Sequence, residues 1–286
     1  MFDRKELKQR AKAVMSRSYF MMFIACLAVS VVSGGGGGIN FQNVKSLDMS
    51  QMSNVRMLLF SGIVGLLLII GILFSIFLVS PLAVGLKKFM LNTAKGRCNL
   101  EDLLFPFKNN YKNILLTQFM KNLYVFLWSL PSFIPLAAYL SSFEKIVYLL
   151  EQVKADSVPA ALSLIGMSSL TMLATLVLSV PAIIKELQYS MVSYILADDP
   201  DKNWKSAISQ SKEMMVGNKW ASIKLGFSFT GWYLLCFFLC CIGPMALTPY
   251  IEATYAQLYI YLSGQTADYD NAQAQQTNFF GGFNNF

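Results

Sequence analysis

Two short clusters in this chain combine charge, amide and phenol at helical spacing. Lys185, Glu186, Gln188 and Tyr189 follow Pro181, and Glu252, Tyr255 and Tyr259 follow Pro249. Lys185, Gln188 and Tyr189 share one helical face, as do Glu252, Tyr255 and Tyr259. Both clusters close long apolar runs, where a lone charge costs about 3 kcal/mol or more unless it is paired or reaches water. The chemistry this suggests is a Lys185–Glu252 ion pair framed by phenols, a polar pocket that could hold an ion or a small substrate. The plainer alternative leaves both charges snorkelling at the headgroup level, since Lys87 stands in a similar place after Pro81.

Other reactive groups lead to less. The chain has no histidine, which removes the commonest general base and the commonest metal ligand together. Cys236 and Cys240 are one helical turn apart and could ligate a soft metal, but cysteine in an apolar run reads first as a small hydrophobe. Asp198-Asp199 reads as a helix start, and the serines carry no nucleophile motif. No catalytic residue, metal ligand set or cofactor site is assigned.

The elements that must position these residues follow from hydropathy. Of 286 residues 55% are hydrophobic and 14% charged, roughly half the charge of a soluble domain. Five stretches without Asp, Glu, Lys or Arg are long enough to cross a bilayer: Ser18–Val44, Met57–Leu86, Asn122–Phe143, Ser157–Ile184 and Leu225–Ile251. The last holds a Gly243-Pro244 turn, so residues 223–242 and 245–262 make two crossings. The expected fold is all-α, a polytopic membrane bundle of about six transmembrane helices, with amphipathic interfacial helices on the cytoplasmic side. Residues 1–264 form one integral membrane domain. Residues 265–286, rich in Gln, Asn and Phe, are expected to be a disordered cytoplasmic tail.

Charge sets the orientation. Six basic residues lie in 1–17, six in 87–113 and six in 185–224, of 23 in all. These are alternate connections, so the positive-inside rule puts both termini in the cytoplasm of a multi-pass cell-membrane protein. The net charge of +7 therefore points to anionic lipid headgroups at the cytoplasmic face, not to nucleic acid. The bilayer itself is the first partner, and a protein partner or a second copy is allowed.

Local signals refine the outline. Residues 3–17 are a charged amphipathic helix leading into a first span from Tyr19. VVS-G at 31–34 resembles a cleavage site, but the long leader with Asp3 and Glu6 argues for an uncleaved span. Gly34–Gly38 opens a flexible external loop and lacks the GK[ST] of a phosphate cradle. The long run Met57–Leu86 must tilt, project or bend at Pro81 and continues as helix to Ala94, and Pro131 and Pro135 should kink the span that follows. Asp199 and Pro200 predict a helix over 200–216 with Asp199 as N-cap, its apolar face Trp204, Ile208, Ser211 and Met215. Gly217 then supplies the left-handed residue that ends it. MSRSYFMMF, FKNNYKNIL and VGNKWASIK each lead into an outgoing span, and Pro81, Pro181 and Pro249 each sit in a return span, the outline of a threefold repeat.

These motifs carry a resemblance. Glu6-Leu7-Lys8 with Ala11-Lys12, Pro81-Leu82, Gly85-Leu86, Asp102-Leu103 with Phe105 and Phe107-Lys108, and Phe126-Leu127-Trp128 all contribute. The densest block runs from Tyr194 through Asp199-Pro200, Ser211–Met215, Gly217 and Lys219-Trp220 to Trp232, and Pro249-Tyr250 closes it. The chain resembles the bacterial integral membrane family catalogued as domain of unknown function nine-seven-five, typical of Gram-positive bacteria. It departs from the pattern where Trp128 is separated from Val180-Pro181-Ala182 and where Asn218 replaces a frequent histidine. The resemblance implies a membrane location and fold and carries no activity. Three functional classes remain: a non-enzymatic envelope, scaffold or regulatory protein, which the residues favour; a small transporter or lipid-handling protein with a cytoplasmic-side polar pocket; and an intramembrane enzyme.

Overall fold

The computed structural model describes residues 3–33, 54–142, 145–149, 158–238 and 242–266. The glycine-run loop, most of the 144–157 link, the thiols of Cys236 and Cys240 and the tail from 267 lie outside the described residues. What is described is 89% helix, with no strand among the described residues.

The first helix, α1 (Arg4–Val32), begins where Asp3 caps it by accepting from the Lys5 N–H at 2.9 Å. It is continuous except at Ser18, which takes non-helical dihedrals (φ −134°, ψ 22°). That break falls where the charged leader gives way to the apolar run, so the boundary read from charge is also a joint in the backbone.

The second apolar run forms α2 (Asn54–Phe74), a wide π-type turn at Ser75–Val79, and α3 (Ser80–Ala94). The turn has a local cause. Pro81 has no N–H to give the carbonyl of Phe77, four residues back. The Tyr111 hydroxyl donates to that carbonyl instead, at 2.6 Å. The bend expected at Pro81 thus appears as a loosened turn just before it, and the helix ends at Ala94 as read.

A tight turn at Leu100–Leu104 and the short α4 (Phe105–Lys108) lead to α5 (Tyr111–Ser141), with Pro131 and Pro135 inside it. Next come α6 (Val158–Tyr189) and α7 (Val192–Asp198). They are followed by α8 (Trp204–Met214), α9 (Lys219–Phe238) and α10 (Ile242–Leu262). The Gly243-Pro244 pair does not form a turn. It opens α10, where a proline in the first turn loses no helical hydrogen bond.

The expected N-cap at Asp199 is corrected. Asp199 turns its carboxylate onto the Asp201 N–H at 3.1 Å, and Asn203 caps α8 by accepting from the Lys205 N–H. The reason is tertiary. Asn113 donates to the carbonyls of Pro200 and Lys202, both at 2.8 Å, and Asn110 donates to the Asp201 carboxylate. The 200–202 backbone is held as a loop by these contacts, so the helix starts four residues late. Most of its face survives: Ile208, Ser211 and Met215 are buried together with Ala207, Trp204 is only half-buried, and Gly217 (φ +75°) ends it.

Among the described residues, four helical stretches are long and apolar enough to cross a membrane: Arg4–Val32, Gly62–Ala94, Tyr111–Ser141 and Val158–Asp198. In the last three, no residue of the most apolar window is buried. Leu68, Leu170 and Leu173 all point outward, more than half exposed. Faces this apolar mark a surface that meets hydrocarbon or protein rather than water.

The described residues divide into two compact units, Met1–Phe119 with Met191–Phe286, and Met120–Ser190. In the first, α10 packs along α1, and α3 packs on α7, α10 and the Leu100–Leu104 turn. Gly85 sits where α3 meets that turn, and a Cβ there would run into the Leu103 backbone carbonyl. Gly85→Ala should therefore lower stability by about 1–3 kcal/mol through overpacking. Gly65→Ala, which meets open space, should be near neutral. Melting of the two variants in detergent measures the difference.

Candidate functional site

The first unit places ionisable groups where α1, α3, α7 and α10 converge. Glu252, three residues after Pro249 on α10, pairs with the ammonium of Lys87 on α3. Each side chain is about one-fifth exposed (19% and 20%), so the pair is mostly withdrawn from solvent. The Lys87 ammonium also stands 5.2 Å from the Tyr194 ring centroid, a cation–π contact from a third element, α7. Tyr194 in turn stacks on Tyr259 of α10, with centroids 5.5 Å apart and planes at 17°. Buried Cys26 of α1 and the hydroxyls of Tyr194 and Tyr255 lie within electrostatic reach of Glu252.

A polar chain continues outward from this cluster. The Tyr259 hydroxyl donates to the Asp198 carboxylate at 3.4 Å, and the Gln265 amide donates to the same oxygen at 2.8 Å. Lys95 donates to the Gln265 carbonyl oxygen at 3.2 Å. Asp198 is thus a receiver for α10 and the residues after it. A second buried tie, Gln118 to the Ser193 hydroxyl at 2.8 Å, fixes α7 to the start of α5.

The sequence-derived site residues divide between the two units. Glu252 and Tyr255 belong to the first, and the partner the structure gives Glu252 is Lys87. Lys185, Glu186, Gln188 and Tyr189 belong to the second, on α6. The Lys185 ammonium lies 4.6 Å from the Trp128 ring centroid, and Tyr189 faces Tyr124 at 6.4 Å. Of the Lys185, Gln188 and Tyr189 face, Lys185 and Tyr189 meet the Trp128 and Tyr124 rings of α5. Half-buried Gln188 lies between them in sequence, and Glu186 joins Lys121 and Tyr189 around a cavity of about 390 Å3. The residues that the sequence reading left out of the site are Lys87 and Tyr194. Lys87 had a signal, its place after Pro81, which matches that of Lys185 after Pro181. Tyr194 had none, because an aromatic at the start of a polar excursion looks like any interfacial ring.

Among the described residues no group of three His, Cys, Asp or Glu could hold a metal ion. The cluster has a carboxylate, an ammonium, phenols and a thiol, so what it can do is hold charge and move a proton locally.

Residues 1–266 match the family described as "Protein of unknown function (DUF975)". The chain belongs to that family. No curated protein and no solved structure matches it. In this DUF975 chain the site centres on Lys87 and Glu252.

That pair makes a sharp expectation. Lys87→Met or Glu252→Gln alone leaves one charge uncompensated and should cost about 2–3 kcal/mol, less than for a fully buried pair because some solvent reaches both groups. The exchange Lys87→Glu with Glu252→Lys should recover more than half of the loss, read by thermal unfolding in micelles. Small, independent effects with no recovery would show that the pair is not made in solution.

Proposed function

We propose that this chain is a multi-pass protein of the bacterial cytoplasmic membrane with a non-enzymatic role, a scaffold or regulator that organises the inner face. The observation that carries the reading is the Lys87–Glu252 pair set against Tyr194, with Cys26 and Tyr255 within electrostatic reach of Glu252. Its charges are answered by side chains of the same bundle, as in an element that fixes helix packing. The absence of histidine from the sequence and the lack of a nucleophile motif support the non-enzymatic side.

In this reading α9 and α10 add two crossings to the four apolar helices, giving six, with both termini inside. The first turns of α1, together with α8, then lie on the inner face among anionic headgroups, where their lysines are favourable. A protein partner or a second copy would dock there, and neither nucleic acid nor a cofactor is required.

Topology has a direct check. In a background without native cysteines, membrane-impermeant thiol reagents applied outside should label Asn43→Cys and Asp156→Cys and spare cysteines at positions 205 and 275. Labelling at 275 from outside would reduce the crossings by one.

The role has its own check against transport. Proteoliposomes containing the full chain should show no more proton or cation flux than empty vesicles, and Glu252→Gln should change nothing. A flux that depends on Glu252 would turn the buried pair into a coupling site and overturn the scaffold reading.

A further inference from the structure

The packing role leaves one large feature unused. An open groove of about 860 Å3 runs between α1, α9 and α10, within the size range of small-ligand sites. Its α1 wall is a single helical stripe, Lys5, Lys8 and Lys12 followed by Met15 and Tyr19, spaced three, four, three and four residues apart. The stripe changes character along its length: three ammoniums come first, then a thioether and a phenol. Across the groove α10 presents Leu247 and Tyr250, and α9 presents Trp232. The Tyr19 hydroxyl donates to the Ala246 carbonyl at 3.3 Å and so ties the two walls at the apolar end.

Charge is segregated around α1 as well as along it. Asp3 and Glu6 face a separate groove, shared with Arg10, Gln257 and Tyr261. The Lys8 ammonium, which lines the large groove, stands 4.6 Å from the Phe229 ring centroid. Lys5 and Lys12 make no ion pair among the described residues. One end of the groove is therefore lined by three ammoniums and no carboxylate, and the other is apolar and aromatic. That is the complement of a molecule with an anionic head and a hydrocarbon body. A free phosphate would leave the apolar end empty.

We propose that this groove seats one anionic phospholipid, its phosphate held by Lys5, Lys8 and Lys12 and its chains lying along Met15, Tyr19, Leu247 and Trp232. The proposal rests on the membrane placement given above, with the lysine end at the inner headgroup level, and not on the scaffold role.

The test uses the full chain, purified in detergent and stripped of lipid. Bound phosphatidylglycerol and phosphatidylcholine are counted by native mass spectrometry over a titration. One phosphatidylglycerol should be retained at least about tenfold more tightly than phosphatidylcholine. Each lysine near an anionic headgroup is worth about a fivefold factor, so Lys5→Gln, Lys8→Gln and Lys12→Gln together should weaken phosphatidylglycerol about a hundredfold and spare phosphatidylcholine. The triple arginine variant should keep the preference, and Leu247→Trp, which fills the apolar wall, should weaken both lipids. If the glutamine triple fails to fold by circular dichroism, Lys12→Gln alone carries the test, with about a fivefold loss expected.

An affinity unmoved by these lysines would overturn the proposal. So would an equal loss from Lys202→Gln, Lys205→Gln and Lys219→Gln, which would mean net charge alone. Displacement by millimolar inorganic phosphate would mean a small-anion site and would also overturn it. External labelling at position 205, by contrast, would overturn the membrane orientation and leave the lipid count unchanged, so the two failures are separable.

Discussion

A carboxylate and an ammonium that meet inside a helical bundle constrain everything packed around them. Withdrawing either group alone from water costs several kcal/mol, so each makes the other's position obligatory. Glu252 fixes where α10 must stand against α3, and Lys87 fixes the rotation of α3, because its ammonium must also lie over Tyr194. Tyr194 then sets α7 against α10 through the stack on Tyr259. Three helices far apart in sequence are positioned by one pair and two rings. Apolar side chains could fill the same space, but they would not specify one arrangement of these helices over its neighbours.

The second constraint is that backbone groups withdrawn from water must still be satisfied. Pro81 removes a donor, the turn before it widens, and Tyr111 restores a hydrogen bond at the Phe77 carbonyl. The carbonyls of Pro200 and Lys202 would be helical if Asp199 capped as its sequence suggests; instead they accept from Asn113. In both cases a side chain near the start of α5 closes an account left open elsewhere. The start of α5 is thereby tied to α3, to the loop before α8 and, through Gln118 and Ser193, to α7. Gly85 extends the same economy to shape, since the α3 backbone can approach the Leu103 carbonyl only where no Cβ intervenes.

The outer surface completes the physical picture. Apolar faces on α2, α5 and α6 are unburied along their most apolar windows. The first turns of α1 place three lysines beside an apolar groove, and the lipid seat proposed there rests on that juxtaposition.

Helical class, four of the apolar stretches, the boundary near Ser18, the end of α3 at Ala94 and most of the buried face of α8 were legible from the sequence. Each depends on local quantities, namely hydropathy over a window, charge at its edges and periodicity within it. The Lys185/Tyr189 face was legible for the same reason, since residues four apart on a helix share a face wherever that helix packs. Which lysine meets Glu252 was not legible. Lys87 and Lys185 both follow a proline at the end of an apolar run, and nothing local separates them; the packing of α3 on α10 decided for Lys87. The cap of α8 was likewise decided from outside, because Asn110 and Asn113, some ninety residues earlier, hold the backbone that Asp199 and Pro200 would otherwise have made helical. The groove along α1 needed the tertiary structure too. The lysine stripe is in the sequence, but the apolar wall opposite it belongs to α9 and α10, more than two hundred residues away, and only packing brings the two halves together.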